Sequence, residues 1–434
     1  MTRNLLTLAV LLIAFKAFAA EPVNLCEESR PGDCSRYQME LSLNGKMFIQ
    51  QEGRRDPIPL EARARHRFLE RTLTVDAGQI RRAVRHYEEA RVKTLAGTDG
   101  SERVLSPERR LIAVDRRPEG SSCTCPLGLL TREELETVAG HFPPHALPGL
   151  LPGKPVAIGD RWTVDGATTQ AACLFDGLSK NELTGKLVAV ENGRARFVLE
   201  GVAEGMEAGA PVKLTITAEG SFDTASQRVI TLIWKQKDER GEGPISPASE
   251  VEATITLTRE TLSVAAAELS DTVISTLPRE PDTSLRYLDP RGDYRFDYSR
   301  DWHITGETDS HLILRLLNGH ELLAQATLMR WKPTLPNQWT GAAEFRQKIA
   351  EIPGWAEKSM LEEGEIPVDQ GRRLLHHVAL GEVEGRPVVQ GFHLLSGPQG
   401  QQLSATIVMK PEKVKAVAPR DRALVTAILF LEKK

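Results

Sequence analysis

Long apolar runs are missing from this 434-residue chain once its first twenty residues are passed. No later stretch approaches the roughly 20 residues a helix needs to cross a bilayer, which excludes a polytopic helical membrane protein. Compositional bias is missing too. Gly and Pro number 34 and 26, hydrophobic residues make up 41% and charged residues 26%, which excludes a collagen-like fibre and a disordered chain. Net charge is small, with 55 Lys+Arg against 59 Asp+Glu. The familiar catalytic signatures are also absent: there is no G-x-S-x-G, no H-E-x-x-H, no Walker loop and no G-x-G-x-x-G after a strand. Adjacent carboxylates occur at Glu88-Glu89, Glu133-Glu134 and Glu362-Glu363, but such neighbours diverge on helix and strand alike and cannot flank one scissile bond. These absences point to a globular, non-enzymatic protein of two or three domains, with no motif that calls for a cofactor.

The first twenty residues are the exception. They carry one basic residue, Arg3, an apolar stretch over residues 5–15, and Ala17-Phe18-Ala19 as an A-x-A cleavage site. Lys16 cuts the run short of a spanning helix. A signal peptide over residues 1–19 is therefore expected, and with it an exported chain, periplasmic or extracellular, without a transmembrane segment. Export removes nucleic acid as an ordinary partner. It also places the five cysteines, Cys26, Cys34, Cys123, Cys125 and Cys173, in an oxidising compartment. Two bridges and one spare thiol are expected: Cys26 with Cys34 around Pro31-Gly32, and Cys173 with Cys123 or Cys125. The competing reading makes Cys123 and Cys125, two apart on a strand, a soft-metal or redox pair, though no basic neighbour is at hand to lower a thiol pKa.

Charge is unevenly spread. Residues 54–117 hold 16 Lys+Arg against 10 Asp+Glu, and residues 118–284 hold 14 against 24. Acidic residues are interleaved with the Arg, so the basic stretch reads as a solvated, salt-bridged face. Within it, Asp76 followed by Gln79 resembles a capping box, and Ile80, Ala83, Val84 and Tyr87 share one helical face, which predicts a short amphipathic helix with Arg81, Arg82, Arg85 and Glu89 outward and Arg85 spaced to pair with Glu89. Strands are expected at residues 37–43, where Met39, Leu41 and Leu43 alternate with polar residues, and at 110–116. A helix capped by Thr131 with Glu134 follows. Residues 141–154, HFPPHALPGLLPGK, hold four Pro and two Gly and read as a surface connection, with His141 and His145 as ordinary loop residues.

Period-two alternation is clearest between residues 183 and 261. Val212, Leu214, Ile216 and Ala218 alternate with polar residues, as do Val251, Ala253, Ile255 and Leu257, and Asn192-Gly193 marks a hairpin. Residues 228–234 add a strand apolar on both faces. An antiparallel meander with one apolar face is implied, covered by short helices.

Residues 277–289 turn irregular and mark a linker between a β-rich domain over 20–276 and a second domain over 290–434. In the second part Tyr294, Phe296 and Tyr298 alternate with Arg295 and Asp297, and strands at 311–317 and 321–331 flank Asn318-Gly319. A helix follows, with Thr340 as N-cap, Phe345, Ile349 and Ile352 on one face, and Pro353-Gly354 as its end. Three strands at 373–380, 387–395 and 402–409 come next, and a closing helix buries Leu424, Ala427, Ile428 and Leu431.

This order, with the opening text YLDPRGDYRFDYSRDWHI leading to Asp301 and Trp302, resembles the PsbP-like family. The resemblance covers about a third of the chain and implies an α/β/α sandwich and an accessory or binding role, with no catalytic residue to carry over. More loosely, the N-terminal sheet is similar to the curved sheets of LolA/LppX-type exported lipid carriers.

Six of the ten histidines, His303, His311, His320, His376, His377 and His393, lie in the second domain. A turn centred on Gly385 pairs His377 with His393, and a two-residue turn at Glu384-Gly385 pairs His376 with His393. Either pairing makes these three the candidate metal ligands, against a reading as satisfied or exposed surface histidines. Taken together, the fold expected is α+β, a β-rich antiparallel domain followed by a smaller α/β/α domain. The function expected is that of an exported, non-enzymatic binding or accessory protein of the cell envelope, with an envelope protein or a hydrophobic ligand as partner. The alternatives are a lipid carrier using the N-terminal sheet and a metal-dependent enzyme of unrecognised type.

Overall fold

The computed structural model describes residues 21–432, apart from 52, 53, 77, 118, 119 and 140. The expected signal peptide and its cleavage site lie outside the described residues. The chain is mostly antiparallel β-sheet with few, short helices.

The larger sheet has thirteen strands. Its path runs Gly120–Thr124, Leu111–Arg117, Gln79–Ala96, Arg54–Asp76, Cys34–Gln51, Ala248–Leu262, Arg228–Arg240, Ala210–Asp223, Arg194–Glu207, Thr184–Glu191 and Arg161–Thr163. The meander forms as the alternation requires: Val212, Leu214, Ile216 and Ala218, with Val251, Ala253, Ile255 and Leu257, are all buried. The hairpin at Asn192-Gly193 has φ of 51° and 74° at its two central residues, the left-handed backbone that Asn and Gly tolerate. Thr131 and Glu134 close a reciprocal capping box, Glu134 N donating to Thr131 Oγ1 (3.1 Å) and Thr131 N to Glu134 Oε2 (3.0 Å), at the start of the helix Arg132–Ala139.

Two expectations fail here. The amphipathic helix after Asp76 is a strand, Gln79–Ala96, and Asp76 pairs with Gln79 across a turn where Gly78 has φ +77°. Both faces of this strand are covered, Val84 against Leu69 and Leu269 on one side, Tyr87 against Phe68 on the other, so its apolar positions mimic helical spacing. Arg85 is buried rather than outward and pairs with Glu70, not Glu89. The second failure is the surface connection. Phe142, His145, Ala146, Leu147, Leu150 and Leu151 are all buried, and Pro144–Leu150 forms a 3-10 helix packed on the sheet. Phe142 meets Trp234 at 5.4 Å between ring centroids, and Trp162 Nε1 donates to Leu150 O (2.9 Å). Proline supplies no N–H, so a Pro-rich segment can be buried with few donors left to satisfy. Gly149 allows the close approach, because a Cβ there would lie 2.1 Å from Thr168 Oγ1.

The opposite face of the large sheet is polar. Cross-strand pairs Arg65–Glu40, Arg67–Glu88 and Arg91–Glu102 make it the salt-bridged face that the interleaved charge implied.

After residue 284 the chain builds a three-stranded sheet from Leu285–Leu288, Tyr294–Tyr298 and Leu429–Phe430, and a seven-stranded sheet. The seven strands run Trp302–Glu307, His311–Asn318, Glu321–Arg330, Gln402–Met409, Arg386–Ser396, Arg373–Val383 and Trp355–Pro367. Leu285–Leu288 falls inside the stretch expected to be irregular, and its Leu285 bridges to Leu130 of the first part. Arg300 Nη2 donates to Cys123 O (2.6 Å), and Arg132 Nη2 lies 3.1 Å from His303 Nδ1, so the parts share a continuous apolar core. The helix Ala342–Ala350 starts from Gly341; Thr340 instead donates its hydroxyl to Gln402 Oε1 (3.0 Å). The closing helix, Val414–Thr426, buries Val417, Leu424 and Val425.

Candidate binding site

The histidine candidates come together only in part. The turn at Glu384-Gly385 has φ of 49° and 74°, and it places His376 opposite His393, while His377 faces Phe392. Alternation then sends His377 to the other face of the sheet. His376 Nε2 lies 3.2 Å from Glu362 Oε1, and His377 Nε2 lies 2.9 Å from Glu357 Oε2. His393 is fully enclosed with neither ring nitrogen partnered, and burial, then His376 and Arg422, push its pKa down to about 3. Among the described residues no three His, Cys, Asp or Glu side chains are placed to hold a metal ion.

The five cysteines, expected to form two bridges and leave one thiol, are unbridged in the structure. Cys34 sits in the ladder opposite Arg71 and Leu262, and its thiol donates to Gly32 O (3.3 Å). Cys123 is buried opposite Val114, Cys125 is half-buried beyond the strand end, and Cys173 is buried at the end of the helix Gly166–Ala172. Burial raises the thiol pKa of both Cys123 and Cys125, the reverse of what a thiolate metal or redox pair needs.

A site that sequence reasoning missed lies where the covered face of the large sheet reaches its strand ends. On the strand Gln79–Ala96 the residues Gln79, Arg81, Ala83, Arg85 and Tyr87 share one face, and on Leu111–Arg117 the residues Ile112, Val114 and Arg116 do. Toward the middle these positions are apolar and buried; toward the ends they become basic. Facing them are Pro143 and His145 of the buried 3-10 segment, and Ala171, Leu174 and Phe175 from the helix Gly166–Ala172 onward. Together they enclose a pocket of about 430 Å³. The lining mixes apolar residues with Arg81, Arg116, Ser121 and Gln170.

Electrostatics at this pocket is set by burial. His145 Nε2 lies 3.2 Å from Ser121 Oγ, and burial, then Arg85 and Arg116, hold its pKa down to about 3, so the imidazole is neutral. Arg85 reaches the pocket with its charge already matched by Glu70 at 2.7 Å. Arg81 is held by Asp76 at 2.9 Å. Glu207, at the rim, pairs with Arg240, and Asp176 accepts from Ala208 N (2.6 Å). Arg116 and Arg117 make no ion pair among the described residues. The signal available in the sequence was the alternation of Arg81, Ala83 and Arg85 on one strand face, hidden because the same residues also fit a helix.

No family model matches the chain, and no curated protein matches it. Among solved structures, the PsbP protein CyanoP of Synechocystis sp. PCC 6803 is similar at 12% identity over 34% of this chain and 92% of its own, with a TM-score of 0.27. A Bacteroides thetaiotaomicron protein matches at 9% identity and TM-score 0.25 over 34% of this chain, which spans about half (48%) of that protein's length. Lipovitellin matches at 9% identity and TM-score 0.32 over 56% of this chain and 26% of its own. Likeness at this level assigns neither family nor function. No helix among the described residues is long and apolar enough to cross a membrane.

Proposed function

We propose that this chain is an exported, non-enzymatic binding protein of the cell envelope that holds a small amphiphilic ligand in the pocket at the strand ends. The observation that carries this reading is the mixed lining: Val114, Pro143, Leu174 and Phe175 stand with Arg81, Arg116, Ser121 and Gln170 around about 430 Å³. Ligand sites are concave, mostly apolar and furnished with a few convergent polar groups, and this pocket has that composition. Bulk lipid carriage across the whole sheet has less support, because Phe142, Leu147 and Trp234 fill the face a lipid would need. Export rests on the Arg3, apolar-run and Ala17-Phe18-Ala19 pattern. The PsbP-like α/β/α reading of the C-terminal part is supported by its two helices, one packing Phe345 and Ile349 on Leu375, Phe392 and Leu394, the other burying Val417 and Leu424 in the main core.

Calorimetric titration of the full chain with decanol and with decyl phosphate, below their aggregation limits, tests the reading. Saturable binding of either probe, abolished by the pocket-filling substitution Ala171→Trp, supports it. No saturable binding of either overturns it.

A further inference from the structure

Among the described residues the pocket is lined by four arginines, Arg81, Arg85, Arg116 and Arg117, against two carboxylates, Asp176 and Glu207. Arg116 is half-buried at the end of its strand, on the same face as Val114, and has no ion-pair partner among the described residues. Three acids around it are ion-paired elsewhere, Glu70 with Arg85, Asp76 with Arg81 and Glu207 with Arg240, while Asp176 keeps its charge and accepts from the backbone N–H of residue 208. Asp165, whose charge also acts on Arg116, caps the helix Gly166–Ala172, accepting from Thr168 N (2.9 Å) and Thr168 Oγ1 (2.6 Å). A partly buried charge left unpaired is costly, and the cost grows when like charges stand beside it, as Arg81 and Arg117 do here. Burial and then Arg81 accordingly weaken the hold of Arg116 on its proton. An anion seated against Arg116 would relieve both penalties. A guanidinium presents paired N–H donors that match carboxylate and phosphate oxygens, and the amide of Gln170, one N–H of which donates to Asp176 O (3.2 Å), has a second to offer.

We infer that the ligand of this pocket is an anionic amphiphile, its carboxylate or phosphate head bound at Arg116 with Arg117 beside it and its apolar tail laid along Val114, Leu174 and Phe175. This inference rests on the binding reading above and adds the sign of the ligand's charge. It also fixes the polarity of the bound molecule, head toward the strand ends and tail toward Pro143. The buried Arg85 is a positioning residue: its pair with Glu70 stiffens the floor without offering net charge.

The test compares decyl phosphate, decanol and inorganic phosphate on the full chain and on Arg116→Gln, a substitution at a partner-free strand end, with a thermal melt confirming the fold of the variant. Decyl phosphate is expected to bind at least about tenfold tighter than decanol. Arg116→Gln is expected to remove most of that ratio by weakening decyl phosphate far more than decanol; Arg117→Gln removes a smaller part. Equal binding of decyl phosphate and decanol by the unaltered chain overturns the inference while the binding reading stands. Absence of binding by any probe overturns both. Inorganic phosphate binding as tightly as decyl phosphate overturns the amphiphile in favour of a free anion.

Discussion

Glu70 and Arg85 face each other directly across neighbouring strands and form a buried ion pair, Oε2 to Nε at 2.7 Å, with side chains 4% and 6% exposed. Burial by itself lowers the Arg85 pKa, but the Glu70 carboxylate holds it above the usual guanidinium value. The guanidinium also lies over the Phe68 ring, 4.8 Å from its centroid. Breaking a buried pair leaves an uncompensated charge, at a cost of about 3–5 kcal/mol, whereas replacing both partners with apolar residues costs far less. Glu70→Leu and Arg85→Leu are each expected to lower the urea midpoint sharply, and the double variant Glu70→Leu/Arg85→Leu to recover much of the loss. Additive losses in the double-mutant cycle would show that the two side chains do not act as a pair.

The buried 3-10 segment gives a second expectation. Leu147 and Phe142 are almost completely enclosed, Phe142 against Trp234. Leu147→Ala is expected to cost roughly 2–5 kcal/mol and Phe142→Ala about 3–5 kcal/mol in equilibrium unfolding. Losses below about 0.5 kcal/mol would return the segment to the surface.

What the sequence showed and what it hid follow one rule. Where a strand has one covered face, as at Val212 to Ala218, side-chain alternation is legible directly, and so are devices a few residues long, such as Asn192-Gly193 and the Thr131/Glu134 box. Where both faces are covered the signal fails. On Gln79–Ala96 the buried set Ile80, Ala83, Val84, Arg85 and Tyr87 combines two faces of a strand, and register shifts in its pairing blur the period further. The strand Trp355–Pro367 was invisible for the opposite reason, since nearly all its residues are exposed at the edge of the sheet. The pocket depends on segments 79–117 and 143–175 meeting in space, which no local pattern encodes.

Stability should fall in mild acid. His66, His145 and His393 are buried, and burial, with the charges of His141, Arg85, Arg116, His376 and Arg422, brings each pKa from 6.5 to about 3. Above pH 6.5 neither the folded nor the unfolded state protonates them, and their contribution is complete. As pH drops from 6.5 toward 3 the unfolded chain takes up protons that the native state refuses, so stability is lost across that window. Asp421 works in the other direction: burial pushes it up to about 6, so below that pH the native state takes a proton before the unfolded chain does. These three histidines against Asp421 leave a net loss of about 3 kcal/mol between pH 7.5 and 5.5, and His141 and His303, which burial brings down to about 4, add to it. His393→Phe, which removes two unpartnered ring nitrogens, is expected to flatten the slope by about one histidine's share. A urea midpoint that does not move between the two pH values would contradict this account.

The thiols give the last expectation. With all five cysteines unbridged, protein prepared without reductant should titrate five thiols in denaturant. In the native state reaction should be slow. Burial, then the charge of Asp238, pushes Cys173 up to about 12, and burial likewise raises Cys34, Cys123 and Cys125, so little thiolate is present at neutral pH. The bridged arrangement makes the opposite forecast on two counts. It leaves one free thiol, and a link from Cys173 to Cys123 or Cys125 would close a loop of about 50 residues, contributing on the order of 4 kcal/mol by the chain-entropy model. Reductant would then lower the melting temperature of the part that holds the large sheet, whereas unbridged cysteines predict no change. A count of one thiol together with a reductant-sensitive melt would establish the bridges, and the buried positions of Cys123 and Cys173 would then have to be reached by movement of the helix Gly166–Ala172 toward the hairpin that carries Cys123.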